Sequence, residues 1–205
     1  MSQEVFNIFK TMDRKDLKSQ LALQCAPLLT GIKISNLLIV HNDKINHVIE
    51  TFKGTQISTH IICKRDKKTT FLLYIKDELL SYLNSNKIEE IMNSLSYSSL
   101  EFDYILEEFS KRYSKYMIEK KVFPHEIGFL LGYPIDDVIG FIENDGKNSI
   151  YTGYWKVYSN LSEKISLFDK YNKAKDVVIG MVVKGMSIQS ILDIHYSNKF
   201  NKIAI

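Results

Sequence analysis

The chain has little of several residue types and none of the motifs on which functional assignments usually rest. Its 205 residues include two cysteines, three prolines and one tryptophan. Cys25 and Cys63 form no CxxC or CxxH pair, and a chain of this length needs no disulfide, so a reducing compartment is expected. The sequence contains no nucleotide-binding loop, nucleophile signature or metal-ligand cluster. It therefore predicts no metal site and names no cofactor.

Long apolar runs are also missing. No window approaches the ~18 apolar residues of a membrane-spanning helix. The N-terminal segment MSQEVFNIFKTMDRKDLK lacks the basic and apolar stretches of a secretory leader. We therefore expect a cytoplasmic protein without a membrane partner. The formal charge of +3, from 27 basic and 24 acidic residues, exerts little attraction on polyanions.

Hydrophobic periodicity predicts an α+β fold. In the N-terminal half it predicts a helix over 16–29, an interior strand over 34–40, a helix from Asp43, and a hairpin over 57–64 and 69–76. Beyond Asp77 the pattern is helical, with a last helix from Ser187 to Ile194 and a loose tail from Ser197. We expect a small mixed sheet covered by helices, followed by a mainly helical half. The chain is predicted to be a single domain over 1–205, with a sub-division into 1–96 and 97–205.

Residues 123–158 contain two of the three prolines, five of the nine glycines and the tryptophan. Pro124 and Pro134 fit the first positions of two short helices that meet at 131–133, the outline of a helix-turn-helix pair. Gly128 would lie at the helix crossing, and Gly140 predicts a close neighbour because glycine weakens a helix interior. Gly146 fits the left-handed position of a tight turn.

The charge of this pair disfavours nucleic acid. Residues 124–145 hold five acids and no lysine or arginine, whereas a recognition helix needs cations for phosphates and Arg, Asn or Gln for bases. A transcriptional regulator remains an alternative, with a basic surface that would have to come from the end of the preceding long helix. Those bases are Lys111, Arg112, Lys115, Lys120 and Lys121.

Two further features of the stretch are open to a functional interpretation. Acids such as Glu126 and Asp137 suit helix starts without any ligand; His125 with Glu126 could instead form an acid-base or metal site, which makes an enzyme a second alternative. In GYWKVY, alternation places Trp155 on the core side and Tyr154, Lys156 and Tyr158 on the other face. That second face could stack a planar ligand or bind an anion.

The motifs FPHEIGFLLGYPIDDVIGFIENDGKN, GYWKVY and CAPLLTGIKISNLL resemble those of a bacterial family of unknown function, found mainly in anaerobes. The similarity spans nearly the whole chain. The family pattern commonly has a His before the N-terminal Cys and a Cys before GYWKVY, where this chain has Gln24 and Thr152. A His/Cys constellation for metal or redox work would therefore be incomplete here. The resemblance implies a cytoplasmic protein and supplies no catalytic residue.

The sequence thus predicts a domain that binds a small molecule or a protein partner, with a link to redox or metal homeostasis suggested only by the family context. The binding groove would lie between the end of the CAPLLTG helix and the Pro124 helix. Its candidate residues are Cys25, Lys33, His125, Glu126, Tyr133, Asp137, Tyr154, Lys156 and Tyr158.

Overall fold

A three-stranded sheet forms the middle layer of the computed structural model, which describes residues 12–13 and 15–200, with side chains up to 197. Its strands are β1 (Ser35–His41), β2 (Ser58–Lys64) and β3 (Lys68–Tyr74), in the order β1-β3-β2. The predicted hairpin is confirmed, because β2 and β3 pair antiparallel. The expectation about an N-terminal leader concerns residues outside the described part.

Two expectations about the sheet are wrong. The sheet is antiparallel and not mixed. β2 and β1 pair with opposite edges of β3, and both pairings are antiparallel. β1 and β2 therefore run in the same direction but are not neighbours. β1 is an edge strand with Ile39 exposed, whereas β3 is central and buried from Thr69 to Tyr74. An apolar run indicates that both faces of a strand are covered and carries no information about its edges.

Helices cover both faces of the sheet, and the α+β class is confirmed. Because side chains alternate along β3, Phe71 and Leu73 face one apolar core while Leu72 and Tyr74 face another. The first core is completed by α1 (Leu17–Leu29), α2 (Ile45–Phe52), the second half of α8 (Leu161–Val183) and α9 (Ile188–Phe200). The second is completed by α3 (Lys76–Leu83), α4 (Asn86–Ser94), α5 (Phe102–Glu119), α6 (Ile127–Leu130) and α7 (Ile135–Glu143).

The helix boundaries agree only in part with the sequence signals. Asp16 caps α1 by accepting a hydrogen bond from the Ser19 backbone N–H at 3.1 Å. The predicted start of α2 at Asp43 is wrong, because residues Asn42–Lys44 form a 3₁₀ turn and α2 begins at Ile45. The prediction that the last helix ends at Ile194 is wrong, since α9 continues to Phe200. Tyr196 anchors this extension, because its hydroxyl donates to the Leu28 carbonyl oxygen at 2.6 Å. The predicted loose tail is thus helical to Phe200, and its residues 201–205 lie outside the described part.

Contacts across the predicted sub-division at residues 96 and 97 support one domain. The Ser35 hydroxyl of β1 donates to the Leu130 carbonyl oxygen of α6 at 2.6 Å. His60 of β2 hydrogen-bonds Ser110 of α5 at 3.0 Å. Since both apolar cores also draw on both halves, we propose that the chain folds as a single domain.

Candidate functional site

The predicted helix pair is present in residues 127–143. A Cβ on Gly128 would lie 2.8 Å from Val138 Cγ2, which explains why a glycine occupies the crossing of α6 and α7. Gly132 connects the helices with φ +62°, a conformation that side chains rarely adopt. The predicted place of the prolines is wrong by one residue or more. Pro134 precedes α7 with an extended ψ of 129°, and α6 begins only at Ile127, three residues after Pro124.

The return segment is a hairpin and not the single strand expected. It pairs β4 (Tyr151–Thr152) with β5 (Lys156–Val157). Gly146 has the predicted left-handed conformation in the preceding turn, with φ +67°. The close neighbour expected for Gly140 is Tyr158, whose Cγ would lie 2.5 Å from an added Cβ. α7 and the hairpin are therefore in direct backbone-to-ring contact.

Asp137 joins α7, the hairpin and α8. Its carboxylate is 2% exposed and accepts hydrogen bonds from the Trp155 indole N–H at 2.7 Å and the Tyr158 backbone N–H at 2.8 Å. A longer bond of 3.3 Å comes from the Ser159 backbone N–H. The buried Lys164 ammonium of α8 lies 3.9 Å away and supplies the opposite charge. This set of partners fixes the hairpin against the helix pair.

Glu126 occupies a second buried site. Its carboxylate accepts a hydrogen bond from the Tyr97 hydroxyl at 3.0 Å and lies 3.6 Å from the Arg112 guanidinium. Burial, followed by the charge of Glu126, raises the pKa of Tyr97 above its usual range. Glu126 and Asp137 lie at helix starts as predicted, but each is also held in the interior by the partners named above.

A cavity of about 360 Å³ lies between the helix pair and the hairpin, and we call it the aromatic cavity. Five of the nine candidate residues line it: His125, Tyr133, Asp137, Tyr154 and Lys156. Tyr133 stacks on Trp155 with centroids 4.8 Å apart, so that this wall is held rigidly. The lining consists of Phe123, His125, Ile127, Gly128, Leu131, Tyr133, Asp137, Val138, Phe141, Thr152, Gly153, Tyr154, Trp155 and Lys156.

His125 is the polar side chain of the cavity that lacks a partner. Its ring lies between Phe123 and Phe141, at centroid distances of 5.5 and 5.4 Å. The buried Nδ1 has no hydrogen-bond partner among the described residues. Glu126 is bound to Tyr97 and Arg112, and no hydrogen bond joins it to His125 among the described residues. In the described part, no three His, Cys, Asp or Glu side chains are grouped to hold a metal ion.

Lys156 lines the cavity, and its ammonium donates to the Gly146 carbonyl oxygen. The remaining candidates lie elsewhere. Tyr158 packs on Gly140. Cys25 is fully buried in the first core and lines no cavity in the described part, and burial raises the pKa of its thiol to about 12. Such a thiol is unreactive, so the structure lends no support to a redox role for Cys25. Lys33 lies over Tyr133, with Nζ 5.0 Å from the ring centroid, and lines a different cavity from His125.

Several bases at and beyond the end of α5 are paired with neighbouring acids, although Lys115 also borders the cleft described next. Arg112 and Lys121 border a cleft beside Glu126, but Arg112 is paired with Glu108 at 3.0 Å and Lys121 with Glu119 at 3.8 Å. On α7, Asp136 is exposed and the opposite side is packed against the hairpin. We therefore retain the hypothesis that nucleic acid is not the partner.

Sequence reasoning missed three partners of the buried acids: Tyr97, Arg112 and Lys164. Lys164 could have been found, because it precedes Phe168 and Tyr171 by four and seven residues and so lies on their buried helix face. A lysine on an apolar face indicates a buried counter-charge. No comparable spacing links Tyr97 or Arg112 to Glu126 along the chain.

These elements define an α+β protein whose helix pair and hairpin close over an aromatic cavity. The chain belongs to the DUF3793 family of proteins of unknown function, whose model matches residues 21–192. Comparison with curated proteins and with solved structures gave no match. None of the helices in the described residues is both long enough and apolar enough to cross a membrane.

Proposed function

We propose that the protein binds a small planar molecule, mostly apolar, in the aromatic cavity. The observation that supports this most is the ring-lined wall around a volume of about 360 Å³. Small-molecule sites in proteins are typically clefts of about 300–1,000 Å³ with apolar and aromatic walls and a few polar groups. The proposed ligand would stack against Tyr133, Tyr154 or Phe141.

His125 supports a ligand with one hydrogen-bonding group. A buried polar atom without a partner destabilises a protein by about 1–3 kcal/mol. The His125 Nδ1 is such an atom, and a ligand that hydrogen-bonds it would remove this cost. In contrast, the Asp137 carboxylate is already occupied by Trp155 and Tyr158, so its role is to hold the wall and not to contact the ligand.

Trp155 gives a direct readout, because it lines the cavity and is the only tryptophan of the chain. We would titrate the protein with 4-nitroaniline, a neutral planar probe whose absorption overlaps tryptophan emission. The proposal predicts saturable quenching of Trp155. Thr152→Phe fills the exposed end of the cavity and should abolish it, whereas Ile150→Phe, an exposed hairpin position outside the lining, should not. Equal, linear quenching in all three proteins would reject the proposal.

A protein partner is the second candidate, because the hairpin beside the cavity exposes apolar side chains. Ile150 is 56% and Tyr151 45% exposed, and exposed apolar groups next to a cavity are typical of interaction sites. Ile150→Asp would then weaken the partner complex in a co-purification from the source cells while leaving 4-nitroaniline quenching unchanged. We also propose a cytoplasmic location, since Cys25 and Cys63 are free thiols.

A further inference from the structure

A smaller cavity lies between α1 and α8, and Tyr133 lines both it and the aromatic cavity. Its volume is about 80 Å³, well above the roughly 10–15 Å³ that one water requires. It therefore has room for a group of several atoms. We call it the lysine cavity, and its polar lining consists of Gln24, Lys33, Asn36, Tyr133, Tyr154, Tyr171 and Lys175. None of the described side chains that line it is a carboxylate.

Lys33 is a buried cation without a counter-ion. It is 7% exposed, and its ammonium donates to the Asn36 Oδ1 at 3.1 Å and lies over the Tyr133 ring. In the described part of the chain, no ion pair joins Lys33 to an acid. Since an ammonium has three N–H donors, two have no protein partner there. Burial lowers the pKa of Lys33 to about 8, as expected for an uncompensated charge.

Further donors face the same space. Lys175 from α8 is half-buried over the Tyr154 ring, and burial lowers its pKa too. The hydroxyls of Tyr133 and Tyr171 border the cavity and form no hydrogen bond within the described residues. Two cations and two hydroxyls thus line a space that no carboxylate among the described residues lines, although the charge of the neighbouring Asp176 acts on Lys175. Buried charges in proteins are normally paired, and Lys33 forms no ion pair with an acid in the described residues.

We infer that the lysine cavity binds a compact oxyanion, either a carboxylate or a phosphate group, between Lys33 and Lys175 with the hydroxyls of Tyr133 and Tyr171 as further donors. Charge-assisted hydrogen bonds of this kind are the strong ones in proteins. The inference does not depend on a ligand in the aromatic cavity, although Tyr133 and Tyr154 border both spaces.

The test uses sodium acetate and sodium phosphate as separate probes, with sodium chloride at the same ionic strength as the reference. The melting temperature of the wild-type protein should rise with either oxyanion and reach a plateau, because a ligand that binds only the folded state stabilises it. Lys33→Met should remove the response while leaving the protein folded, since methionine has a similar length without charge. Lys173→Met, on the exposed side of α8, removes the same charge outside the cavity and should keep the response.

The pH dependence gives an independent readout. If the charged form of Lys33 binds the anion, the affinity should fall about tenfold per pH unit above the pKa of about 8. The thiol of Cys25 and the hydroxyls of Tyr133 and Tyr171 face Lys33 with raised pKa values and stay neutral near pH 8. The other charged groups nearby are Lys175 in the cavity, Asp176, whose charge opposes the effect of burial on the pKa of Lys175, and Asp77 and Glu78 in the open cleft beside α3.

Each outcome decides the inference. If the melting temperature rises saturably with acetate alone, the ligand group is a carboxylate; if it does so with phosphate alone, the ligand group is a phosphate. A saturable rise with both anions supports a site for oxyanions in general. A linear rise of equal size in the wild type, Lys33→Met and Lys173→Met would be a general salt effect and would overturn the inference. So would the absence of any response in the wild type. Because 4-nitroaniline is neutral, its failure to bind would leave the anion result unaffected.

Discussion

Replacing Asp137 by alanine tests the network that holds the wall of the aromatic cavity. The change leaves the Trp155 indole N–H and the Tyr158 backbone N–H buried without an acceptor and deprives Lys164 of its counter-charge. Hydrogen bonds to a charged group contribute about 1.5–3 kcal/mol each. Breaking a buried ion pair by removing one partner costs about 3–5 kcal/mol. As these terms overlap, we expect the free energy of unfolding to fall by about 3–5 kcal/mol.

The neighbouring acid is a matched control. Asp136 lies in the same first turn of α7, but its side chain is 56% exposed and its carboxylate lies 3.8 Å from the exposed ammonium of Lys87. Asp136→Ala should cost no more than about 1 kcal/mol, the contribution of an exposed acid at a helix start. Asp137→Asn keeps one oxygen acceptor and should have an intermediate effect. This comparison separates burial from position in the helix.

Urea unfolding followed by circular dichroism and Trp155 fluorescence gives the three free energies. We also expect the native Trp155 emission to shift to longer wavelength in Asp137→Ala, because the indole loses its buried acceptor and water reaches the ring. A loss below about 1 kcal/mol, or equal losses for Asp136→Ala and Asp137→Ala, would refute the argument that Asp137 organises this site.

Three further predictions concern single residues. Gly140→Ala should destabilise the protein by about 1–3 kcal/mol because its Cβ would overlap Tyr158. Gly180→Ala should instead stabilise the protein by about 0.5–1 kcal/mol, because a Cβ there has no atom within 4 Å and alanine favours the helix. Urea unfolding measures both changes. Lys33→Met should be more stable than the wild type at pH 7 by up to about 3 kcal/mol, because burial disfavours the charged amine. That difference should shrink as the pH rises from about 8 towards 10.5, the usual pKa of a lysine, because the unfolded wild type binds the extra proton in this window. A difference that stays constant with pH would contradict the assignment. Cys25 should not react with iodoacetamide at pH 8 until the protein unfolds, and fast labelling of the native protein, detected by mass spectrometry, would show that the thiol is accessible.

Local steric signals in the sequence predicted the fold better than charges predicted the site. The glycines carried usable information because each has one physical cause: Gly128 and Gly140 admit a close neighbour, and Gly146 adopts a left-handed turn. The order of the strands in the sheet could not be predicted in the same way. An apolar run such as that of β1 looks the same at an edge and in the centre of a sheet covered on both faces.

The candidate site was predicted only in part, for a related reason. An acid in the first turn of a helix is ordinarily exposed, and the sequence offers no local sign that Glu126 and Asp137 are buried. Their partners come from distant segments, Arg112 from α5 and Lys164 from α8. Likewise, Lys33 meets Tyr133 only through the tertiary fold. Such pairs depend on long-range packing, which periodicity within one element does not encode.

Native mass spectrometry of the protein purified without oxygen tests the central claim, that the aromatic cavity holds a small molecule, most directly. We predict an added mass of a small organic molecule on the wild type and on Ile150→Phe, and its loss from Thr152→Phe, in which the cavity is filled. An identical added mass on all three proteins, or none on the wild type under conditions that preserve its fold, would contradict the account.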